Sequence, residues 1–481
     1  MKRIIVKGLP IIAFLVLAGC VAPQTEYNKR IAVGAYGEAN KIATKEANKN
    51  NGDQLLWRLQ AGSAASYSGN MAESIRQFDL AEDIFQKNDQ KSVFDKGSAA
   101  VGGLLLNDLV FDYNGMGLDR TFCCLYKAID FAAQGKMSPA RTELNRAAQH
   151  QENWVYERKK DVEAAYNKLN KEGEKAAKEK NIDSIYSSQK VESIASDRRV
   201  VELIKDKTGV DYNEYGNLER LSALNYTSIY LAHLCGVFRW LNKDGGRNFL
   251  KDAATLAAGN QLLAEDFRNA DAGRAPGNNV WVYVEDGLCS YRQPVTVIIP
   301  THLLALGGLF VMPSAMSLPV LRERPPAAER YYVETSSGGS NQMLFLENID
   351  RLVRTEYGIF MRGAVPREIA RVLIRVGSQV ALAVAANNTR DSNARVGLYL
   401  TQIGIGIFGI AVSEADTRSW QALPKNIYVH KVPCPADGKV RIKAGNMPTI
   451  EVDVPRDCPS IIWVRRPTAF AVPGTKVISF K

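Results

Sequence analysis

The chain has 481 residues, 46% of them hydrophobic, with 61 Lys and Arg against 51 Asp and Glu for a formal charge of +10. That length suits about two to four domains with real cores, and the basic excess is spread along the chain, which speaks against a nucleic-acid partner. Seven Cys and four His are scattered, without C-x-x-C or zinc-type spacing, which excludes a His-rich or zinc-finger-like metal site.

The first residues form three zones: basic Lys2, Arg3 and Lys7, an apolar run from Leu9 to Leu17, then Leu17-Ala18-Gly19-Cys20. The apolar run is too short to span a bilayer and reads as a signal peptide over residues 1–19. Its end resembles the lipobox of bacterial lipoproteins. That resemblance implies cleavage before Cys20, lipidation of its thiol and a membrane anchor there; Val21 in place of Asp implies sorting to the outer membrane. Two or more acyl chains, at about 0.8 kcal/mol per buried CH₂, anchor stably.

Residues 20–50 are polar and rich in Ala, Asn and Lys, and read as a lipidated tether followed by a helix start. Residues 51–272 read as helical, with apolar positions recurring at three and four. Two stretches superpose with Gly69 on Gly135, 66 residues apart, close to two periods of about 34. Each has small residues, a glycine turn, a larger apolar residue and an alanine. The pattern resembles the tetratricopeptide (TPR) hairpin, and the resemblance implies a concave protein-binding groove involving Gly62, Phe78, Ala81, Ala128, Ala140 and Leu144. A third hairpin is expected from Asn225 to Leu262, without a clean turn. A long charged helix is expected near 151–180. Cys123 and Cys124 read as buried side chains on a helix.

After Gly273 the pattern changes to mixed α+β, β-rich beyond residue 425. Val280, Val282 and Val284 alternate as in a strand, and Asp286-Gly287 reads as a hairpin turn. Residues 303–322 read as buried core rather than a membrane span. A helix from Asn348 to Arg375 is expected to break at Gly363 to Pro366, with a small-residue helix from Val376 to Ala386 after it. Val396 to Val412 reads as a buried helix, short of the roughly 20 residues a span needs. Strands close the chain, with Cys434 and Cys458 expected to form a disulfide between neighbours. The fold class expected is therefore α+β: an N-terminal TPR-like helical repeat region, then a mixed region over 273–481.

The stretches LLLNDLVFDYNG, YKAIDFAAQGKMSPARTELNRAAQHQ, VWVYVEDGL and EADTRSWQALPKNI resemble an uncharacterised family of bacterial envelope lipoproteins with TPR-like repeats, over residues 54–445. The most specific pieces are Asp416 to Trp420 with Leu423-Pro424, and Asn107 to Tyr113. The family motif is carried by Asp416, Arg418, Trp420 and Pro424. The resemblance implies no assigned reaction and a role in assembling or maintaining the outer envelope beside other lipoproteins.

No G-x-S-x-G elbow follows a convincing strand, and there is no Walker loop or G-x-G-x-x-G. Two carboxylate pairs invite comparison with glycosidases: Glu285 with Asp286, and Glu414 with Asp416. The first reads as a turn. In the second, Asp416 and Arg418 satisfy each other while Trp420 packs. The expectation is a non-enzymatic scaffold or adaptor on the periplasmic face of the outer membrane, without cofactor or metal. It would bind other envelope proteins and is compatible with homo-oligomers. The alternatives are a subunit of a multimeric export or surface-structure complex and a cell-wall-acting enzyme.

Overall fold

The computed structural model describes residues 22–49, 51–90, 112–179, 182, 185–213, 223–300, 314–336, 339–411 and 414–481. The signal peptide, Cys20, residues 107–111 of the Asn107–Tyr113 stretch and residues 303–313 of the apolar 303–322 run lie outside the described residues. The fold is mixed helix and sheet.

Residues 22–49 are not a tether. They form α1 (Pro23–Ala32) and α2 (Tyr36–Ala47). The polar composition hid a narrow apolar stripe: Tyr27, Ile31, Tyr36, Ala39, Ala43 and Ala47 are all buried in the main core. Next come the hairpins α3 (Gln54–Tyr67) with α4 (Met71–Gln90), and α5 (Gly117–Ala133) with α6 (Met137–Glu179). They turn at Gly69 and Gly135, whose φ of 79° and 75° only glycine adopts freely. The charged helix expected near 151–180 is the far half of α6, one continuous helix of 43 residues, about 65 Å long at 1.5 Å per residue.

Two short helices, α7 (Ser188–Ser196) and α8 (Arg198–Thr208), and the single turn α9 (Ala223–Tyr226) lead to the third hairpin. It pairs α10 (Ile229–Leu241) with α11 (Arg247–Leu256), and α12 (Gln261–Asp271) follows. Its turn, missing from the expectation although Asp244-Gly245-Gly246 marks it, is Lys243 to Gly246, with Lys243, Gly245 and Gly246 all at positive φ.

The strands are β1 (Asn279–Asp286), β2 (Tyr291–Ile299), β3 (Ser314–Arg322), β4 (Tyr332–Thr335), β5 (Gly339–Gln342), β6 (Leu344–Asn348), β7 (Asn426–Pro433), β8 (Lys439–Lys443), β9 (Ile450–Asp453), β10 (Ser460–Arg466) and β11 (Gly474–Ser479). Five of them form a sheet in the order β11-β10-β1-β7-β6, and four form a second in the order β5-β4-β8-β9. In the first sheet, β1 runs parallel to β10 and antiparallel to β7. Asp286-Gly287 is therefore not a hairpin turn, because β2 leaves for a separate two-stranded sheet with β3.

Alternation along β1 and β10 builds a three-layer body. Trp281, Tyr283, Ile461 and Trp463 face the helices. Val280, Val282, Val284, Ile462 and Val464 face Val333, Val440, Ile442 and Val452 of the four-stranded sheet.

An arm leaves this body with a core of its own. Its parts are the end of α6, the helices α7 and α8, the β2–β3 pair and two further helices, α13 (Asp350–Asn388) and α14 (Ser392–Ala411). α13 runs unbroken through Pro366, against expectation. An interior proline costs about 3 kcal/mol. Val365, Ile369, Leu373 and Val376 bury against β2 and β3, and each such side chain returns about 1.5–3 kcal/mol. Nor is the 396–412 region buried throughout: residues 391–397 and 399–401 of α14 and its entry are exposed. The apolar pattern alone could not show that, among the described residues, none covers them.

Candidate functional site

The six residues expected to line a groove are all in the core: Gly62, Phe78, Ala81, Ala128, Ala140 and Leu144 are inaccessible or nearly so. Gly62 lets α3 and α4 meet; a Cβ there would lie 2.5 Å from the Phe78 ring. Phe78 stacks on Tyr126 and tilts against Trp420. The sequence identified the hairpin contacts and mistook them for a surface.

What fills the inner side of the hairpins is the chain's own five-stranded sheet. The first helix of each hairpin contributes a tyrosine to one buried cluster. Tyr126 and Tyr230 each donate to Glu285, at 2.9 and 3.0 Å. Tyr67 donates to the Ala422 carbonyl at 2.9 Å and lies under the Arg465 guanidinium. Glu285 and Arg465 are register partners on β1 and β10, with side chains 3.8 Å apart. Burial pushes the Glu285 carboxyl up, and Arg465 only partly offsets this. At 0% exposure, neither reaches solvent. Beside them Lys476 pairs with buried Asp130 at 2.5 Å.

A second buried network sits under α10. Asp266 accepts from Trp281 at 2.8 Å and from Lys431 at 2.8 Å, and lies 3.2 Å from His233 Nε2. Tyr283 OH meets His233 Nδ1 at 2.8 Å. Burial alone would raise the Asp266 carboxyl; His233 and Lys431 outweigh it and hold it below the ordinary range. Neither network was found from sequence. The available signal was the helix-facing alternation itself: Trp281, Tyr283 and Glu285 on one strand, Ile461, Trp463 and Arg465 on its partner.

The Asp416–Pro424 segment ties sheet to helices. Arg418 binds both oxygens of Asp416 at 2.9 Å and reaches Asp53 at 2.9 Å. Trp420 packs on Tyr126 and donates to Ser63 at 3.2 Å. Buried Pro424 lies between Leu423, whose carbonyl accepts from Cys289, and Lys425, whose amide donates to Asp286. Glu414 is exposed, apart from this contact. Glu285 and Asp286 are thus buried in the fold's own contacts, Asp416 is held by Arg418, and Glu414 stands apart from it.

Cys434 and Cys458 are free thiols, not the expected disulfide. Cys434 Sγ points at Asn278, and Cys458 Sγ at the Phe480 carbonyl, each at 3.0 Å. Cys123 and Cys124 are buried on α5, and burial raises both thiols well above their usual range. Among the described residues, Glu82, Cys124 and Glu143 place donor atoms within 4.8 Å of one another. Those carboxylates already hold cations: Lys127 lies 3.0 Å from each, and so does Arg146. Burial would lower the Lys127 ammonium, but Glu82, Asp79 and Glu143 outweigh it and hold it well above its usual value. The cluster is an ion-pair knot between α4, α5 and α6.

An open cleft of about 620 Å³ lies where the hairpin turns meet β11, lined by Gly135, Met137, Asn242, Lys243, Val477 and Lys481 among others. It is wide, mixed in polarity and without a convergent set of acids, bases or nucleophiles. No protein-family model, curated protein or solved structure matches this chain.

Proposed function

We propose that this chain is a lipid-anchored scaffold of the bacterial outer envelope, working by contact on the periplasmic face rather than by catalysis. The Cys20 lipobox and the envelope-lipoprotein resemblance supply the address. The helical hairpins that the sequence reads as TPR-like supply the layer that packs on the sheet. The observation that carries the contact reading is the tyrosine–Glu285–Arg465 cluster. It closes the inner face of the hairpins on the chain's own sheet, so that the buried ionisable groups lock a rigid body. Partners are then met from outside, at the 620 Å³ cleft and along the arm.

Two measurements test this. Cells fed an alkyne-tagged palmitate should label the wild-type chain and not Cys20→Ser, with the wild type in the outer-membrane fraction. An unlabelled wild type recovered in the soluble periplasm would end the reading. A photo-crosslinking residue in place of Lys481 at the cleft should capture a short, reproducible set of envelope proteins in living cells, while one in place of Arg198 on the arm should capture a different set. Identical, diffuse capture from both positions would count against a defined contact surface.

A further inference from the structure

The arm ends in a two-helix finger made by the end of α13 and the start of α14. On it Val384, Val396, Leu400 and Ile403 are 46, 56, 64 and 44% exposed, with Tyr399 at 38%. Val396, Leu400 and Ile403 follow one helical face at i, i+4 and i+7. Single exposed apolar residues are ordinary, but a contiguous row on a projection marks an interaction surface. Between residues 381 and 403 the charged side chains are Arg390, Asp391 and Arg395, all at the tip. Arg395 is held there by the Thr389 carbonyl at 2.7 Å.

We propose that this finger seats in a phospholipid bilayer, with Val396, Leu400 and Ile403 among the acyl chains and Arg390, Arg395 and Tyr399 at the headgroups. Charge favours lipid as the occupant: two arginines against one aspartate suit anionic phosphates, and an amphipathic tyrosine one turn away suits the interface. Residues 301–313 contain no Asp, Glu, Lys or Arg. In sequence they join Pro300 to Ser314, and Ile298 on β2 is 58% exposed.

Those strand ends lie on the finger's side of the arm. The other end of the pair, Tyr291 with Arg322, lies toward the body, where Arg324 binds Gln421. α13 also starts at the body, where Asp350 meets Lys425 at 2.9 Å, and Tyr357 donates to Pro319 at 2.6 Å on its way out. From Tyr357 the helix continues for about another 45 Å at 1.5 Å per residue. The free ends of β2 and β3 and the finger therefore lie on the same side of the arm, away from the body. The inference does not rest on lipidation of Cys20, which concerns the other end of the chain.

The test is a spin label on Leu400→Cys in the full chain, added to vesicles of phosphatidylethanolamine and phosphatidylglycerol. Lys251→Cys on the body is the control, and the unsubstituted protein gives the background from native cysteines. Leu400 is exposed, so its replacement leaves the fold intact. Binding should raise the collision rate with oxygen several-fold at position 400 and lower that with a nickel chelate, leaving position 251 unchanged. A label at 400 that stays open to nickel on vesicle-bound protein overturns the proposal, as does failure of the protein to bind vesicles. Dipolar broadening between labels without lipid also overturns it, assigning the face to a second copy of the chain.

Discussion

Two glycines in the first hairpin are required for different physical reasons, and substitution separates them. At Gly62 the backbone is ordinary but space is lacking, with the Phe78 ring 2.5 Å from any Cβ. At Gly69 space is open but φ is 79°. Gly62→Ala should cost about 1–3 kcal/mol through overpacking, and Gly69→Ala about 1–2 kcal/mol through the left-handed backbone. Adding Phe78→Leu should couple favourably to the first substitution and not to the second, read as a double-mutant cycle in urea. Equal coupling in both would sink the packing explanation. Asp266 gives a pH-dependent counterpart. Removing one member of a buried charged network costs about 3–5 kcal/mol, so Asp266→Asn should unfold at much lower urea near neutral pH. Because the folded state holds this carboxyl below its ordinary range, its contribution is complete above the unfolded pKa of about 3.9. The gap between wild type and variant should then narrow as pH falls below that value. A gap that widens on acidification would show that the native network does not stabilise the carboxylate.

At the scale of elements, the hairpins at Gly69 and Gly135 were legible because small residues and a glycine turn are local signals. The turn at Lys243 to Gly246 was missed although Asp244-Gly245-Gly246 is itself a local turn cue, because the apolar run of the helix before it dominated the pattern. Pro366 misled for another reason: its local cost is visible in sequence, whereas the apolar contacts that outweigh it come from strands about 50 to 70 residues upstream. β1 could be read as a strand but not placed, because its neighbours β7 and β10 begin at Asn426 and Ser460. The candidate cluster failed in the same way, since Glu285 acquires its meaning only when β10 brings Arg465 alongside. The arm offers a direct check on two separate cores. In α13, a Cβ at Gly377 would lie 2.9 Å from the Ile182 side chain. Gly377→Val should therefore strip amide protection from residues 185–208 and 350–388 and leave the β1, β7 and β10 amides protected, as seen by hydrogen exchange. Uniform loss across the chain would mean that body and arm unfold as one unit.

For the molecule as a whole, the two ends of the sequence close on each other. Tyr36 donates to the Val472 carbonyl at 2.6 Å, Thr468 to the Ala32 carbonyl at 2.5 Å, and Asn28 to Gln421 at 3.0 Å. Residues 22–49 are thus part of the body, and only Val21 and Ala22 separate Cys20 from α1. A lipid on Cys20 would hold the body within about 10 Å of the membrane, at 3.3–3.6 Å per extended residue. Deleting a true tether leaves stability unchanged; deleting these helices uncovers the partners of Tyr27, Ile31 and Tyr36, each worth about 1.5–3 kcal/mol. Together with the buried alanines, that approaches the whole stability of an ordinary domain, about 5–15 kcal/mol. A chain beginning at Ala22 should therefore melt cooperatively, and one beginning at Asn51 should be largely unfolded or aggregated, as judged by circular dichroism and size-exclusion chromatography. Equal melting temperatures for the two would return these residues to the role of a spacer, and with it the freedom of the body to move away from a lipid on Cys20.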